Sequence, residues 1–131
     1  PHILIVEDEN GPRYALTIIL RSFGTLHYAK TIQEAIAILE THTILFATID
    51  IRLNGENGLK LAEWIQRHTP TTISITVTGN PSIQSAQDAY RSGTTQYLTK
   101  PFNTTALIQL AQYAYTQHHL PFPAHPFHSP N

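Results

Sequence analysis

The sequence predicts an open parallel α/β sheet with helices on both faces, and three observations predict it. Five short apolar runs recur along the chain with amphipathic segments between them, the rhythm of repeated βαβ units. The first run, Ile3-Leu4-Ile5-Val6, is apolar at every position and so reads as a central strand covered on both sides. A length of 131 residues supplies one sizeable core and leaves no room for a second full domain.

Each element follows in turn. After the first strand, Asn10-Gly11-Pro12 opens a helix, with Pro12 suited to its first turn. That helix sets Ala15, Ile18, Ile19 and Ser22 inward and closes near Gly24. Residues 26–29 form a short second strand. Thr31-Ile32-Gln33-Glu34 has the form of a capping box before Ala35, Ile36 and Leu39, which mark the inner face of a second helix. The third strand, residues 44–49, ends in Asp50, and a loop over residues 52–58 leads to a third helix with Leu61, Trp64, Ile65 and His68 on one stripe. Thr69-Pro70 stops it. The β-branched run at residues 73–78 is the fourth strand, and Asn80-Pro81 caps a fourth helix bearing Ile83, Ala86 and Tyr90 and closing at Gly93. Residues 96–99 are the fifth strand; Lys100-Pro101-Phe102-Asn103 then turns into a fifth helix carrying Leu107, Leu110, Ala111 and Ala114. Four prolines between Pro121 and Pro130 exclude further helix, so the domain is expected over residues 1–119, with 120–131 a Pro-rich tail or linker.

Composition narrows the function. Eight Lys and Arg against nine Asp and Glu give a formal net charge of -1, which supplies no field for holding nucleic acid or a membrane surface. Without cysteine there is no disulfide framework, thiolate nucleophile or Cys-based metal site. No apolar run reaches the ~18 residues of a membrane span, and the opening residues run straight into acids with no basic leader, so a soluble, cytoplasmic chain is expected.

The few charges are informative by position. Only three Asp and three Lys occur. Glu7 and Asp8 follow the first strand, Asp50 ends the third, and Lys100 follows the fifth; in an open parallel sheet these strand ends form one rim, where ligands bind. Carboxylates gathered there repel one another unless a cation sits between them, and a hard divalent ion such as Mg²⁺ is the natural partner. Thr78 and Lys100 add a hydroxyl and a positive charge for the oxygens of a phosphoryl group. Taken singly, each residue reads as a helix cap, a strand threonine or a surface lysine. Their combination in this order, each at the end of a different strand, points to a phosphoryl site.

Over residues 3–117 the chain resembles the receiver domain of two-component response regulators, the CheY-like family. Ile3 to Glu9 resembles the family's first strand and acid pair, Asp50 stands at the phosphoacceptor position, and Val77-Thr78-Gly79 resembles the switch hydroxyl motif. Gly93 resembles the glycine that closes helix four, and Tyr97-Leu98-Thr99-Lys100-Pro101-Phe102 the aromatic switch residue followed by the family's lysine and proline. The resemblance implies a doubly wound, flavodoxin-like sheet of order 2-1-3-4-5 with five helices. It also implies that Asp50 accepts a phosphoryl group from a sensor histidine kinase, a phosphotransfer protein or a small phosphodonor. Mg²⁺ or Mn²⁺ would be bound by Asp8, Asp50 and the backbone carbonyl of Arg52, with Glu7 acting through water. Lys100 would pair with the phosphoryl oxygens. Thr78 would move inward with Tyr97 following, altering the face of helix four, strand five and helix five that an output domain or partner protein reads. Asn54 replaces the family's usual proline, which implies a more mobile loop over the site.

Other functions fit less well. A phosphatase of the haloacid-dehalogenase kind uses a second Asp two residues after its nucleophile, and Arg52 stands there. An FMN binder needs a phosphate cradle after strand one, where Glu7-Asp8-Glu9 would repel phosphate. A receiver-like module that signals without phosphate is the principal alternative. The expectation is therefore a phosphoacceptor switch, assisting only its own phosphorylation and dephosphorylation, and not a turnover enzyme. His118, His119, His125 and His128 read as a solvated tail before a zinc site. Since residues 103–117 contain no Asp, Glu, Lys or Arg, a monomer or weak phosphorylation-dependent dimer is expected, with contacts through Tyr113, Tyr115 or Leu107.

Overall fold

Five parallel strands, β1 (His2–Val6), β2 (Thr25–Ala29), β3 (Ile44–Asp50), β4 (Ile73–Thr78) and β5 (Gln96–Thr99), form one sheet in the order β2-β1-β3-β4-β5. The computed structural model describes residues 1–123. The crossovers are α1 (Asn10–Leu20), α2 (Ile32–Thr41), α3 (Leu59–His68) and α4 (Ile83–Arg91), and α5 (Thr104–Gln117) follows the last strand. The expected order is thus observed. Strand order reverses between β1 and β3, and there Val6 pairs with Ile49, so the residues leaving β1 stand beside Asp50.

Two apolar layers explain why β1 is apolar throughout. Ile3 and Ile5 enter the layer with Leu16, Phe23, Phe46 and Leu107, while Leu4 and Val6 enter the layer with Ala35, Leu39, Ile49 and Leu61 on the other face. All seven residues of β3 are buried.

Several helix faces differ from expectation. In α1 the buried set is Leu16, Ile19 and Leu20, and Phe23 joins the core while Ser22 is exposed. The cause is the tighter 3₁₀ turn at Arg21–Phe23, which winds Phe23 inward past the position a continued α-helix would give it. In α3, His68 is exposed and stacks on Trp64, while Leu59 and Ala62 join Leu61 and Ile65 inside. The largest difference is α4. Its cap is Ser82, in a reciprocal pair with Ser85, and Ala89 is its buried residue; Ile83 and Tyr90 are 81% and 53% exposed. This helix covers the short edge strand β5, so little sheet surface is available to bury its stripe. The Thr31 hydroxyl does cap α2, accepting from Glu34 N–H, but the Glu34 carboxylate reaches the N–H of Lys30 instead of closing the box on Thr31.

The α5 face matches expectation and extends further. Leu107, Leu110, Ala111 and Ala114 are buried together with Ile108 and Tyr115, whose hydroxyl donates to the Phe23 carbonyl. Beyond α5, Phe122 stacks on Phe23 and meets Tyr115 edge-on. His118 Nε2 donates to the Thr71 carbonyl at 2.9 Å; His125 and His128 lie outside the described residues.

These burials revise the expected self-association surface. Leu107 and Tyr115 are core residues and cannot be contacts, whereas Tyr113 on α5 and Ile83 and Tyr90 on α4 are exposed. Asp88 and Arg91 pair within α4 at 3.2 Å. Any dimer through this face therefore rests on apolar and amide contacts. Sedimentation should show a dissociation constant changing by less than about twofold between about 50 mM and about 500 mM salt. A tight dimer that falls apart as salt rises would contradict it.

Candidate functional site

The C-terminal ends of β1, β3, β4 and β5 bring the charged residues of the rim together. Asp50, the last residue of β3, is 5% exposed, and its Oδ1 accepts from the Arg52 N–H at 3.0 Å. Lys100 is set by its own N–H, which donates to the Thr78 carbonyl at 2.9 Å. From there the Lys100 ammonium lies 2.8 Å from Glu7 Oε1 and 3.0 Å from Asp50 Oδ2, with Glu9 farther off at 3.9 Å. Glu7 is fully enclosed and accepts a further hydrogen bond from the Glu9 N–H at 3.1 Å.

Electrostatics follow from this enclosure. Burial pushes the Glu7 carboxyl up to about 7, against the opposing pull of Lys100 and the Glu9 N–H, and the Asp50 charge adds to the rise. For Lys100, burial alone would lower the ammonium; its hydrogen bonds to Glu7 and Asp50 outweigh that and raise it. One cation among three carboxylates leaves the site short of positive charge.

Asp8 supplies the second sign of that shortage. Its Oδ1 is buried with no hydrogen-bond partner among the described residues, a costly state for a carboxylate oxygen. Glu7, Asp8 and Asp50 each present a carboxylate oxygen within 4.8 Å of the others. An oxygen-only donor set of this kind, one donor unsatisfied, fits a hard divalent cation.

Thr78 is buried at the end of β4, and its hydroxyl oxygen accepts from the Asn80 N–H at 3.0 Å. Tyr97 is half-buried on β5 with its hydroxyl against Ser85 Oγ and 3.4 Å from the Ser82 N–H. The start of α4 thus holds Tyr97, a role for Ser82 and Ser85 that sequence reasoning missed. The Ser-x-x-Ser spacing of a cap was its available signal.

The segment after Asp50 also departs from expectation. It forms a hairpin in which Arg52 and Leu53 pair with Asn57 and Glu56, turning at Asn54 (φ 38°) and Gly55 (φ 89°). Asn-Gly is the sequence favoured for such a turn because both residues need positive φ. Leu53 is fully buried, and Glu56 and Asn57 accept from the N–H groups of Ile32 and Leu59. The segment is therefore tied at several points, although it lacks the usual proline.

A family model described as the response regulator receiver domain matches residues 3–112. This chain is a response regulator receiver domain. It is 34% identical to the photosynthetic apparatus regulatory protein RegA of Rhodobacter capsulatus over 101 residues, covering 76% of this chain and 54% of that protein. A putative response regulator NtrX-like of Rickettsia bellii is 31% identical over 86% of this chain and 24% of its own length. The receiver domain thus spans about half or less of these relatives. Among solved structures, the receiver domain of NtrX from Brucella abortus superposes with a TM-score of 0.80 at 28% identity, over 87% of this chain and 98% of that one. A CheY-like receiver domain protein from Methanospirillum hungatei gives 0.82 at 27% identity, over 90% and 96%.

Proposed function

We propose that this receiver domain accepts a phosphoryl group on Asp50 and signals by rearranging the face of α4, β5 and α5. The observation that supports this best is the placing of Asp50 between the Lys100 ammonium and the Arg52 N–H, at 3.0 Å each, beside the unpartnered oxygen of Asp8. A carboxylate oxygen of Asp50 attacks the phosphorus of a phosphohistidine on a sensor kinase or phosphotransfer protein, or of a small acyl phosphate. An O–P bond forms as the P–N or P–O bond of the donor breaks, and the leaving nitrogen or carboxylate takes the electron pair. Lys100 then exchanges its Asp50 contact for the phosphoryl oxygens. A Mg²⁺ or Mn²⁺ ion held by Asp8, Asp50 and the Arg52 carbonyl, with Glu7 through water, would neutralise charge on the transferring group.

The Thr78 hydroxyl, which already receives the Asn80 N–H, has its own proton to donate to a phosphoryl oxygen. As it moves inward, Tyr97 leaves Ser85 and follows, freeing the start of α4. An output domain or partner protein would read that change in a cytoplasmic two-component pathway. Among the described residues no helix is long and apolar enough to cross a membrane. An apolar groove of about 790 Å³ between α1 and the segment after β5, lined by Ala15, Ile18, Pro101 and Phe102, opens beside Lys100 and offers a donor protein a surface to dock on.

Intact mass after treatment with a small acyl phosphate and Mg²⁺ tests the chemistry. One phosphoryl group should be added to the wild type, and Asp50→Asn, which keeps the shape but removes the nucleophile, should reduce labelling to background. An unchanged wild-type mass, under conditions that label other receivers, would favour signalling without phosphate.

A further inference from the structure

At the end of the sheet opposite Asp50, three histidines from three elements meet. His2 begins β1, His27 lies in β2, and His42 caps the C-terminus of α2. In the parallel register His27 stands opposite Leu4, so His2 and His27 share the sheet face that α2 covers. Ring centroids are 5.0 Å apart for His2 and His27, 5.2 Å for His2 and His42, and 4.3 Å for His27 and His42. His2 Nδ1 and His27 Nε2 are 2.9 Å apart, so a single proton lies between two nitrogens aimed at one point.

The Thr41 hydroxyl lies within hydrogen-bond reach of the carbonyls of Ala37 and Ile38, at 3.0 and 3.2 Å, and of His42 Nδ1, at 3.0 Å. With its proton on Nδ1, His42 keeps the Nε2 lone pair for a metal. The carbonyl end of α2 adds negative potential, which suits a cation. Burial, and then the neighbouring His42 and His2, push His27 below the usual histidine range, keeping it in the neutral form that binds metal.

We propose that His2, His27 and His42 form a site for one late divalent transition-metal ion of the Zn²⁺ class, tying together β1, β2 and α2. Whichever ring donates between His2 Nδ1 and His27 Nε2 gives that proton to solvent and takes one up on its other nitrogen, so both facing nitrogens offer lone pairs to the metal; the exposed His42 ring turns to bring a nitrogen in, and water completes a tetrahedron. Imidazole donors select Zn²⁺, Cu²⁺ or Ni²⁺ and have little use for Mg²⁺, so the site is chemically distinct from the carboxylates at the other end. The two are separated by the length of β1, on the order of 17 Å. Occupancy would fasten the edge strand β2 to the sheet centre and to α2 without touching the phosphoryl chemistry.

Zn²⁺ titration of the full 131-residue chain, followed by calorimetry in saturating Mg²⁺ to occupy the acids, tests the site, with Co²⁺ absorption reporting a tetrahedral nitrogen environment. Binding of one equivalent is expected, weakened by at least about tenfold in His42→Ala and in His27→Ala. His42 is exposed, so its variant should fold normally by circular dichroism and decides the matter if His27→Ala does not. A variant with His118, His119, His125 and His128 all replaced by Ala separates the C-terminal histidines and should bind within about twofold of wild type. Absence of binding by the wild type would overturn the proposal, as would unaltered affinity in His42→Ala or loss of binding in the C-terminal variant.

Discussion

Gly58→Ala should destabilise the protein by roughly 3 kcal/mol or more and slow the phosphorylation proposed at Asp50 by at least about tenfold. Gly58 caps α3 with an ordinary helical φ of -59°, so backbone strain is not the reason. The reason is proximity. A Cβ there would stand 2.1 Å from the Asp50 carbonyl oxygen and 3.0 Å from Ile49 Cγ2, and the first of these is backbone of the central strand. The Gly58 N–H also donates to the Ile51 carbonyl at 2.7 Å, which clamps α3 to the end of β3. Relief requires α3 or Asp50 to move, and movement of Asp50 changes its distance from Lys100. Gly11→Ala is the matched control, since it meets nothing within 4 Å in the first turn of α1 and should be stabilising by about 0.5 kcal/mol. Urea unfolding of both variants checks the contrast; equal stability for Gly58→Ala and wild type would mean that this approach is not kept in solution.

The second large effect is on pH dependence. With its carboxyl raised to about 7 in the folded protein and near its ordinary value when unfolded, Glu7 holds a proton in the native state that the unfolded chain releases. Its contribution to stability is therefore fully present below about pH 4.5 and is lost as pH rises through about 7. The loss over that window is on the order of 3 kcal/mol, since the carboxyl moves from 4.5 to about 7. In chelator, the stability of Glu7→Gln relative to wild type should therefore rise between pH 5 and pH 8 by an amount approaching about 3 kcal/mol. Adding Mg²⁺ at pH 8 should restore part of the wild-type deficit by binding the native carboxylates. A difference between the two proteins that is flat with pH would show that Glu7 ionises normally.

The sequence by itself determined the sheet and which charged residues gather at its C-terminal rim. The unbroken apolar run Ile3–Val6 could only be a central strand, because residues facing both ways along it must be covered. Glu7, Asp8, Asp50, Thr78 and Lys100 were legible because a parallel sheet sends every strand's C-terminal end to the same rim, whatever the details of packing. Tertiary structure decided what lies against what. Hydrophobic periodicity shows that a helix has an apolar stripe but not how much surface is opposite to receive it, so α4 kept Ile83 and Tyr90 outside on a short edge strand. A 3₁₀ turn, set by packing, moved the inner face of α1 from Ser22 to Phe23. The Asn54-Gly55 pair carries the signature of a hairpin turn, and the structure forms that hairpin where the resemblance implies a more mobile loop. The burial that contributes most to raising the Glu7 carboxyl, and the meeting of His2, His27 and His42, were not readable, because both arise from packing between separate elements. Local sequence fixes which residues reach the rim or the lower edge of the sheet; only the register and spacing of strands fix whether their charges and lone pairs share a few ångströms.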